Sequence, residues 1–597
     1  MIAQISQVAD KSFDYVIIGG GTAGLTVAAR ILNHPANKRT ILVIEAGQPN
    51  LDDPKILLGG TFGGTFGDPK YDWGFTTTPQ QHSNNRVMTW NRGKGLGGSS
   101  AMNFLVWCKP SAADINAIEE LGNPGWNWES FQRLTTGMEH FTQASPDQLL
   151  ELTHTHIASY RGIDGPIKTT VPGTAAPLNK AFLDTLQSMG APLLEDPYGG
   201  NVTGCWQSSA CLDRSLKWTR SYAATAHYLP NKNNSNLLVL TDATVSRVLF
   251  RDELSPEGNL IASAVEFIYR GEQYQVGVEK EVICSAGTIK SPQVMELSGI
   301  GRREILEKLG IPVKVDLRGV GENLTDHTFC GISYELDPSI PHKTFDIFRD
   351  ATLAKEQSRL HLDQDNMHRY GISAFSYLPI QIVNSKNAQA IIDNTETLIN
   401  GQIEHSDLPP GLEKQYNIQL RILKDKMEPD LEFIGVNGYM SHRSVPEEGK
   451  SHLTILAVLQ HPLSRCHCKS TDPTEQPDID PHIFENPYDL ELFMESVKYV
   501  RKMAETEPLK SLVVREVDPG TENATEEQIK EYLKNYCYTC FHALGSMSMM
   551  PRDQNGVVDS DLKVYGTTNV RVADLSVFPM QVSAHTQTSA YYVGAKS

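Results

Sequence analysis

Apolar positions fall into three regimes along the chain. Near the start, Phe13-Asp-Tyr-Val-Ile-Ile-Gly19 is an almost unbroken apolar run, which predicts a buried strand. A glycine-rich turn follows, and Leu25–Leu32 then places its apolar residues at helical spacing. Thr40-Ile-Leu-Val-Ile-Glu45 is a second apolar strand, so the opening predicts a βαβ unit and a parallel sheet. Residues 51–90 are rich in Gly, Thr, Asn and Asp and predict a long irregular surface segment. A second glycine-rich turn, within Arg86 to Lys109, leads into an apolar helix, and 113–217 mixes helical patches with loops. Strands are then predicted at Leu237–Thr241, Ala262–Tyr269 and Glu281–Ala286, the last followed by a helix.

From 313 to 535 the pattern changes. Polar helices are predicted over Asp346–Leu362 and Asn387–Ile399, and strands over Leu431–Val436 and His452–Leu459. This region reads as one that covers a substrate. The tail from Tyr538 is again rich in Gly, His and Val, with a last helix over Ser589–Lys596.

At 597 residues the chain exceeds one ordinary core and predicts two or more domains. A net charge of −18 argues against nucleic acid or an anionic membrane as the main partner. The nine cysteines are odd in number and irregularly spaced, which does not describe a disulfide framework. Cys537 and Cys540 form a lone C-x-x-C with no second pair to complete a zinc site, so ordinary thiols are expected. The first twelve residues lack the basic and apolar regions of a signal peptide, and no stretch is long and apolar enough to span a bilayer. An intracellular enzyme is the resulting expectation.

Gly19-Gly-Gly21-Thr-Ala-Gly24 matches G-x-G-x-x-G in the context that gives it weight, between a strand and a helix. Gly19 permits the tight turn, Gly21 lets backbone approach a pyrophosphate, and Gly24 lets helix and strand pack closely. Thr22 and Ala23 open the helix, whose N-terminus offers free N–H groups. Glu45, followed by Ala46, ends the second strand where a carboxylate accepts from a ribose hydroxyl, which fits FAD or NAD and disfavours NADP.

Further blocks carry a family resemblance. Arg92-Gly-Lys-Gly-Leu-Gly-Gly-Ser-Ser-Ala-Met-Asn103 resembles the first signature of the glucose–methanol–choline (GMC) oxidoreductases. Gly287-Thr-Ile-Lys-Ser-Pro-Gln-Val-Met-Glu-Leu-Ser-Gly-Ile-Gly301 resembles the second. Tyr71-Asp-Trp73, Val320–Asp326 and Gly556–Pro579 resemble other family segments, in family order. The resemblance implies a buried flavin against Gly98, Ser99 and Asn103, an adenine held by backbone at Val245, and an acid near the ribityl phosphate at Asp574. A turn-capping role is the plainer reading of Asp574. Some relatives attach FAD through a histidine just before the equivalent of Asn103; Met102 stands there, which implies non-covalent FAD.

Oxidising an alcohol needs a base for the O–H proton while hydride leaves carbon, and imidazole suits that task near neutrality. By resemblance His542, in Cys540-Phe-His-Ala-Leu-Gly, is the base, and His585, in Ser583-Ala-His-Thr-Gln587, binds the substrate oxygen or shares the proton. This places the chain with the His/His, aryl-alcohol-oxidase-like branch. Gln587 would touch the flavin ring, and Thr586 stands where many relatives have proline. His327 reads as structural; His461, His467 and His482 show no partner pattern, and no metal is expected.

The expected fold is α/β, a Rossmann-like FAD-binding domain (12–50, 86–112, 218–312, 536–597) interleaved with an α+β substrate domain (51–85, 113–217, 313–535) on a mixed or antiparallel sheet. The expected activity is FAD-dependent oxidation of a small aromatic, allylic or secondary-metabolite alcohol, with oxygen or a quinone-type acceptor taking the electrons. A non-redox or light-driven flavoprotein of the same fold (a cyclase or a decarboxylase) and a non-catalytic flavin-binding protein are the alternatives.

Overall fold

The computed structural model describes residues 2–34, 39–145, 154–172, 177–361, 364, 366–405, 408–470 and 475–597. Two seven-stranded sheets organise them. In the first, Leu237–Leu240, Ile41–Ile44, Ser12–Ile18 and Glu272–Cys284 run parallel in that spatial order. Val570–Val572 from the tail pairs parallel with Glu272–Cys284, and Ala262–Tyr269 and Ala243–Phe250 extend the sheet antiparallel. Ile41–Ile44 is buried at every position, as its unbroken apolar pattern requires.

Helix Thr22–Asn33 covers this sheet, and the last helix, Gln587–Lys596, packs on it. Gly594 makes that approach possible: a Cβ there would lie 2.7 Å from the Ala23 carbonyl oxygen. The tail is thereby brought back beside the first glycine turn, and the segment before the helix, with His585, comes with it.

The second sheet is wholly antiparallel, in the order Val513–Asp518, Thr328–Leu336, His452–Leu459, Leu431–Val436, Ala374–Leu378, Gly204–Gln207. Tyr538–Thr539 pairs with Thr328–Leu336. Alternation sorts its central strands onto two faces. Leu431 and Phe433 point to a core shared with helices Ala388–His405, Leu412–Lys424 and Pro487–Ala504; Ile434 and Val436 point the other way, into an apolar cluster with Phe329, Phe375 and Leu456.

Several boundaries differ from the sequence pattern for identifiable reasons. The strand predicted at Glu281–Ala286 starts at Glu272, because its first half is a half-exposed hairpin arm of polar residues with little apolar signal. The helix predicted over Asp346–Leu362 is two pieces, a tight turn Phe345–Arg349 and a helix Ala351–Leu360. Asp350 separates them by accepting from the Thr352 and Leu353 amides as an N-cap, and Leu362 lies outside the described residues. The irregular segment 51–90 holds a short helix, Pro54–Leu57, and a pair of two-residue strands, Phe75–Thr76 with Thr89–Trp90.

Candidate active site

The carboxyl ends of the parallel strands open onto one cavity of about 660 Å³. Ligands of open α/β sheets bind at that edge. Four of the five parallel strands deliver residues at their ends to the wall: Ile18 and Gly19, Ile44 to Ala46, Ser285 and Ala286, and Asp574.

Two glycine turns form the floor. Gly21 is the N-cap of helix Thr22–Asn33, and a Cβ on it would meet only the Gly98 Cα, at 3.8 Å. Gly98 has φ of +50°, and a Cβ there would lie 2.8 Å from the Gly21 Cα, so the two turns touch backbone to backbone. Gly24 stays out of the wall: its Cβ would fall 2.1 Å from the Gly19 carbonyl oxygen, so it closes the turn on the helix. Of the sequence-selected residues, Gly19, Gly21, Thr22, Ala23, Glu45, Ala46, Gly98, Ser99, Asn103, Val245, His542, Asp574, His585, Thr586 and Gln587 all line the cavity.

Their contacts refine several roles. The buried Glu45 carboxylate accepts from the Gly20, Gly47 and Gly95 amides at 2.8, 2.8 and 2.9 Å, joining three turns. Burial pushes its pKa up, against those amides, and a carboxylate with about four acceptor positions keeps one for a hydroxyl. Asn103 donates to Gln587 and accepts from Arg220 at 2.8 Å. Asp574 is a capping residue as well as a wall residue, accepting from the Ser576 and Gly287 amides and from the Ser291 hydroxyl.

At the other end the wall comes from the second sheet, the 59–67 loop and the tail. The rings of His542 and His585 lie 4.7 Å apart, centroid to centroid. His542 follows Phe541, whose φ of +62° makes a sharp turn after Tyr538–Thr539. Asp326 fixes that turn by accepting from the His542 amide at 2.7 Å and from the Thr539 hydroxyl, while Arg92 donates to the Phe541 carbonyl at 2.7 Å. Burial pushes the Asp326 pKa up to about 6.

Each imidazole has a partner that sequence reading missed. His542 Nδ1 lies 2.9 Å from Nδ1 of His327, so His327 touches the site. The buried Nε2 of His327 makes no hydrogen bond among the described residues. With the His327 proton on Nε2, its Nδ1 accepts from His542, and His542 Nε2 is left with a lone pair for the cavity. Burial, and then the neighbouring His585, His327 and Arg92, hold the His542 pKa well below the usual imidazole value. His585 Nε2 lies 2.8 Å from Glu432 Oε1; Glu432 is fully buried, and its Oε2 accepts from Gln460 at 2.9 Å. Glu432 shares the face of Ile434 and Val436, so a charge in a predicted apolar strand was the available signal.

The remaining lining here is aromatic and aliphatic: Phe62, Phe66, Phe104, Phe329, Ile372 and Leu456, with His442 stacked on Tyr538 at 4.6 Å. Phe66 packs edge-on against Phe541 at 5.1 Å.

Family models described as GMC oxidoreductase match residues 13–329 and 462–594. The chain belongs to the GMC oxidoreductases. It is an FAD-dependent family acting on CH–OH donors, and the architecture above is the family's. The GMC oxidoreductase family protein Mala s 12 of Malassezia sympodialis is 34% identical over 97% of this chain and 91% of its own. An FAD-dependent oxidoreductase from Chaetomium thermophilum superposes with a TM-score of 0.87 at 28% identity, covering 98% of this chain and 97% of that one. A fungal aryl-alcohol oxidase does so with a TM-score of 0.85 at 27% identity, covering 98% of each chain.

Two expectations change on this structure. His467 and His482, expected to lack a partner pattern, converge with Asp480. His461, expected to be alone, lies 2.9 Å from the buried Asp114. All nine cysteines are free thiols. Among the described residues no helix is long and apolar enough to cross a membrane.

Proposed function

We propose that this GMC oxidoreductase oxidises an apolar, aromatic or allylic primary alcohol, with His542 as the base and His585 as the group that holds the substrate oxygen. The paired rings of His542 and His585, 4.7 Å apart on the wall of the cavity that the glycine turns floor, carry the reading. When bound, FAD supplies a two-electron acceptor ring. Gly21, Gly98, Ser99 and the helix N-terminus at Thr22 and Ala23 would hold its pyrophosphate, Glu45 its ribose, Val245 its adenine, and Asn103, Asp574, Thr586 and Gln587 the flavin side. The floor left open by Gly21, which a side chain there would fill, is the structural support for that placement. Met102 lines the cavity with a thioether that forms no stable bond to a flavin methyl, which supports non-covalent attachment.

The chain's own groups define the proton's route. The substrate hydroxyl donates to His542 Nε2, which is neutral at ordinary pH because its pKa is depressed. His327 receives Nδ1–H of the same ring, and this hydrogen bond strengthens as the ring gains charge. Glu432, paired with His585, adds a buried negative charge to the same end and offsets the imidazolium that forms. The aromatic walls exclude water and select an apolar substituent. The aryl-alcohol oxidase likeness supports that substrate class.

The deciding experiment is anaerobic flavin reduction in the dark by a panel of alcohols. His542→Ala should keep its yellow colour and lose about 10²- to 10⁴-fold in reduction rate, the contribution of a placed base. Unchanged reduction in the variant rejects the assignment. Absence of reduction by every alcohol in the wild type favours the non-redox or light-driven alternative.

A further inference from the structure

A second cluster of chemically competent side chains sits outside the cavity, on the ribbon formed by His467–Lys469 and Asp478–Asp480. His467 lies directly across from Asp480 in this antiparallel pair. Such cross-strand neighbours project from one face. His482 follows two residues after Asp480 with φ of +48°, a left-handed conformation that turns its ring back onto the same face. The His467 and His482 rings are 5.2 Å apart at an interplanar angle of 79°.

We propose that His467, Asp480 and His482 bind a zinc-class divalent ion, with water as the fourth ligand. One donor atom from each residue lies within 4.8 Å of the others. His482 Nε2 and Asp480 Oδ2 are 3.3 Å apart. Two donors held ~2.0 Å from one tetrahedral ion are separated by about that distance. The outer contacts are also those of a metal site. Glu485 Oε2 lies 2.9 Å from His482 Nδ1; with Nδ1–H donated to it, the Nε2 lone pair is left for an ion. Asp480 Oδ1 accepts from Gln80 Nε2 at 2.9 Å, leaving Oδ2 turned to the imidazole. The His482 and Asp480 side chains keep 29% and 28% exposure, which admits an ion and a water. Two imidazoles and one carboxylate suit zinc over the hard cations, which take oxygen ligands.

The ribbon backs the cavity wall. The Thr78 amide donates to the Ile479 carbonyl at 2.8 Å, and the Thr76 amide to Gln476 at 2.7 Å. Those threonines follow Trp73 and Phe75, both in the wall. An ion here would fasten this segment without touching the reacting groups.

The test is calorimetric titration of chelator-treated holoenzyme with Zn²⁺, alongside the absorption spectrum of the Co²⁺-loaded protein. Wild type should bind one equivalent, gain melting temperature and show the intense visible bands of four-coordinate cobalt. His467→Ala should lose binding and the melting gain while keeping flavin content and flavin reduction. Glu485→Gln, which leaves all three ligands in place, should weaken binding by about 10- to 100-fold. No stoichiometric binding to the wild type, undiminished binding to His467→Ala, or a weak six-coordinate cobalt spectrum would overturn the proposal.

Discussion

The two ends of the cavity are made of different materials. The end over the first sheet is backbone: Gly19, Gly21 and Gly98 bring main chain to the surface, and Glu45 spends its carboxylate on three amides. The end under the second sheet is side chain: two imidazoles, a buried glutamate behind one of them, and aromatic walls. Recognition by backbone needs consecutive residues with special conformations, so it is local in sequence. Recognition by side chains needs only that distant segments converge, and here 327, 432, 542 and 585 do so through sheet pairing and one helix contact.

The comparison predicts that the ends fail differently. Gly21→Val should give the largest effect, complete loss of bound flavin. Its Cβ meets only the Gly98 Cα at 3.8 Å, so the apoprotein should fold normally and the branched side chain should fill the cofactor's place. Flavin-to-protein absorbance and a circular dichroism melt separate these outcomes; a yellow variant would break the reading of the floor. Gly24→Ala should lose flavin by another route, since a Cβ 2.1 Å from the Gly19 oxygen deforms the turn and lowers the melting temperature as well.

At the side-chain end the cofactor should stay and the rate should fall. Glu432→Gln keeps size and removes charge. A hydrogen bond to a charged group contributes about 1.5–3 kcal/mol. Loss of that amount from the transition state slows reduction by roughly 10- to 100-fold. Full flavin content with slowed anaerobic reduction is the expected result; an unchanged rate would show that Glu432 only fills space.

This division also explains what the sequence made legible. The opening βαβ unit, both glycine turns and the tail histidines were readable because each lies in a contiguous block. Leu431–Val436 was readable as a strand, yet the role of Glu432 was not, since alternation does not say which face looks into a cavity. His327 was visible only as the residue after Asp326; its contact with His542 depends on pairing between Tyr538–Thr539 and Thr328–Leu336. The His467–Asp480–His482 group was hidden because cross-strand register, not spacing, joins it.

The smallest predicted effect concerns the base. A protonated imidazole cannot accept a proton, so reduction falls as pH drops through the His542 pKa in the enzyme. That pKa is held well below 6.5, first by burial and then by His585, His327 and Arg92. Wild-type reduction should therefore stay flat from pH 8 down through 6.5 (about the ordinary imidazole value) and decline only below it. His327→Ala opens space for water, and relief of the burial that chiefly holds the pKa down should outweigh the loss of the Nδ1–H acceptor. The acid limb should then move to higher pH. The plateau should drop only several-fold, because the ring keeps its place through the Asp326 bond to the His542 amide and loses only the partner for Nδ1–H. A plateau loss with no movement of the limb would mean that His327 positions the ring without tuning it. A limb that moves to lower pH would mean that His327 acts on the ring mainly as the acceptor that stabilises its charged form.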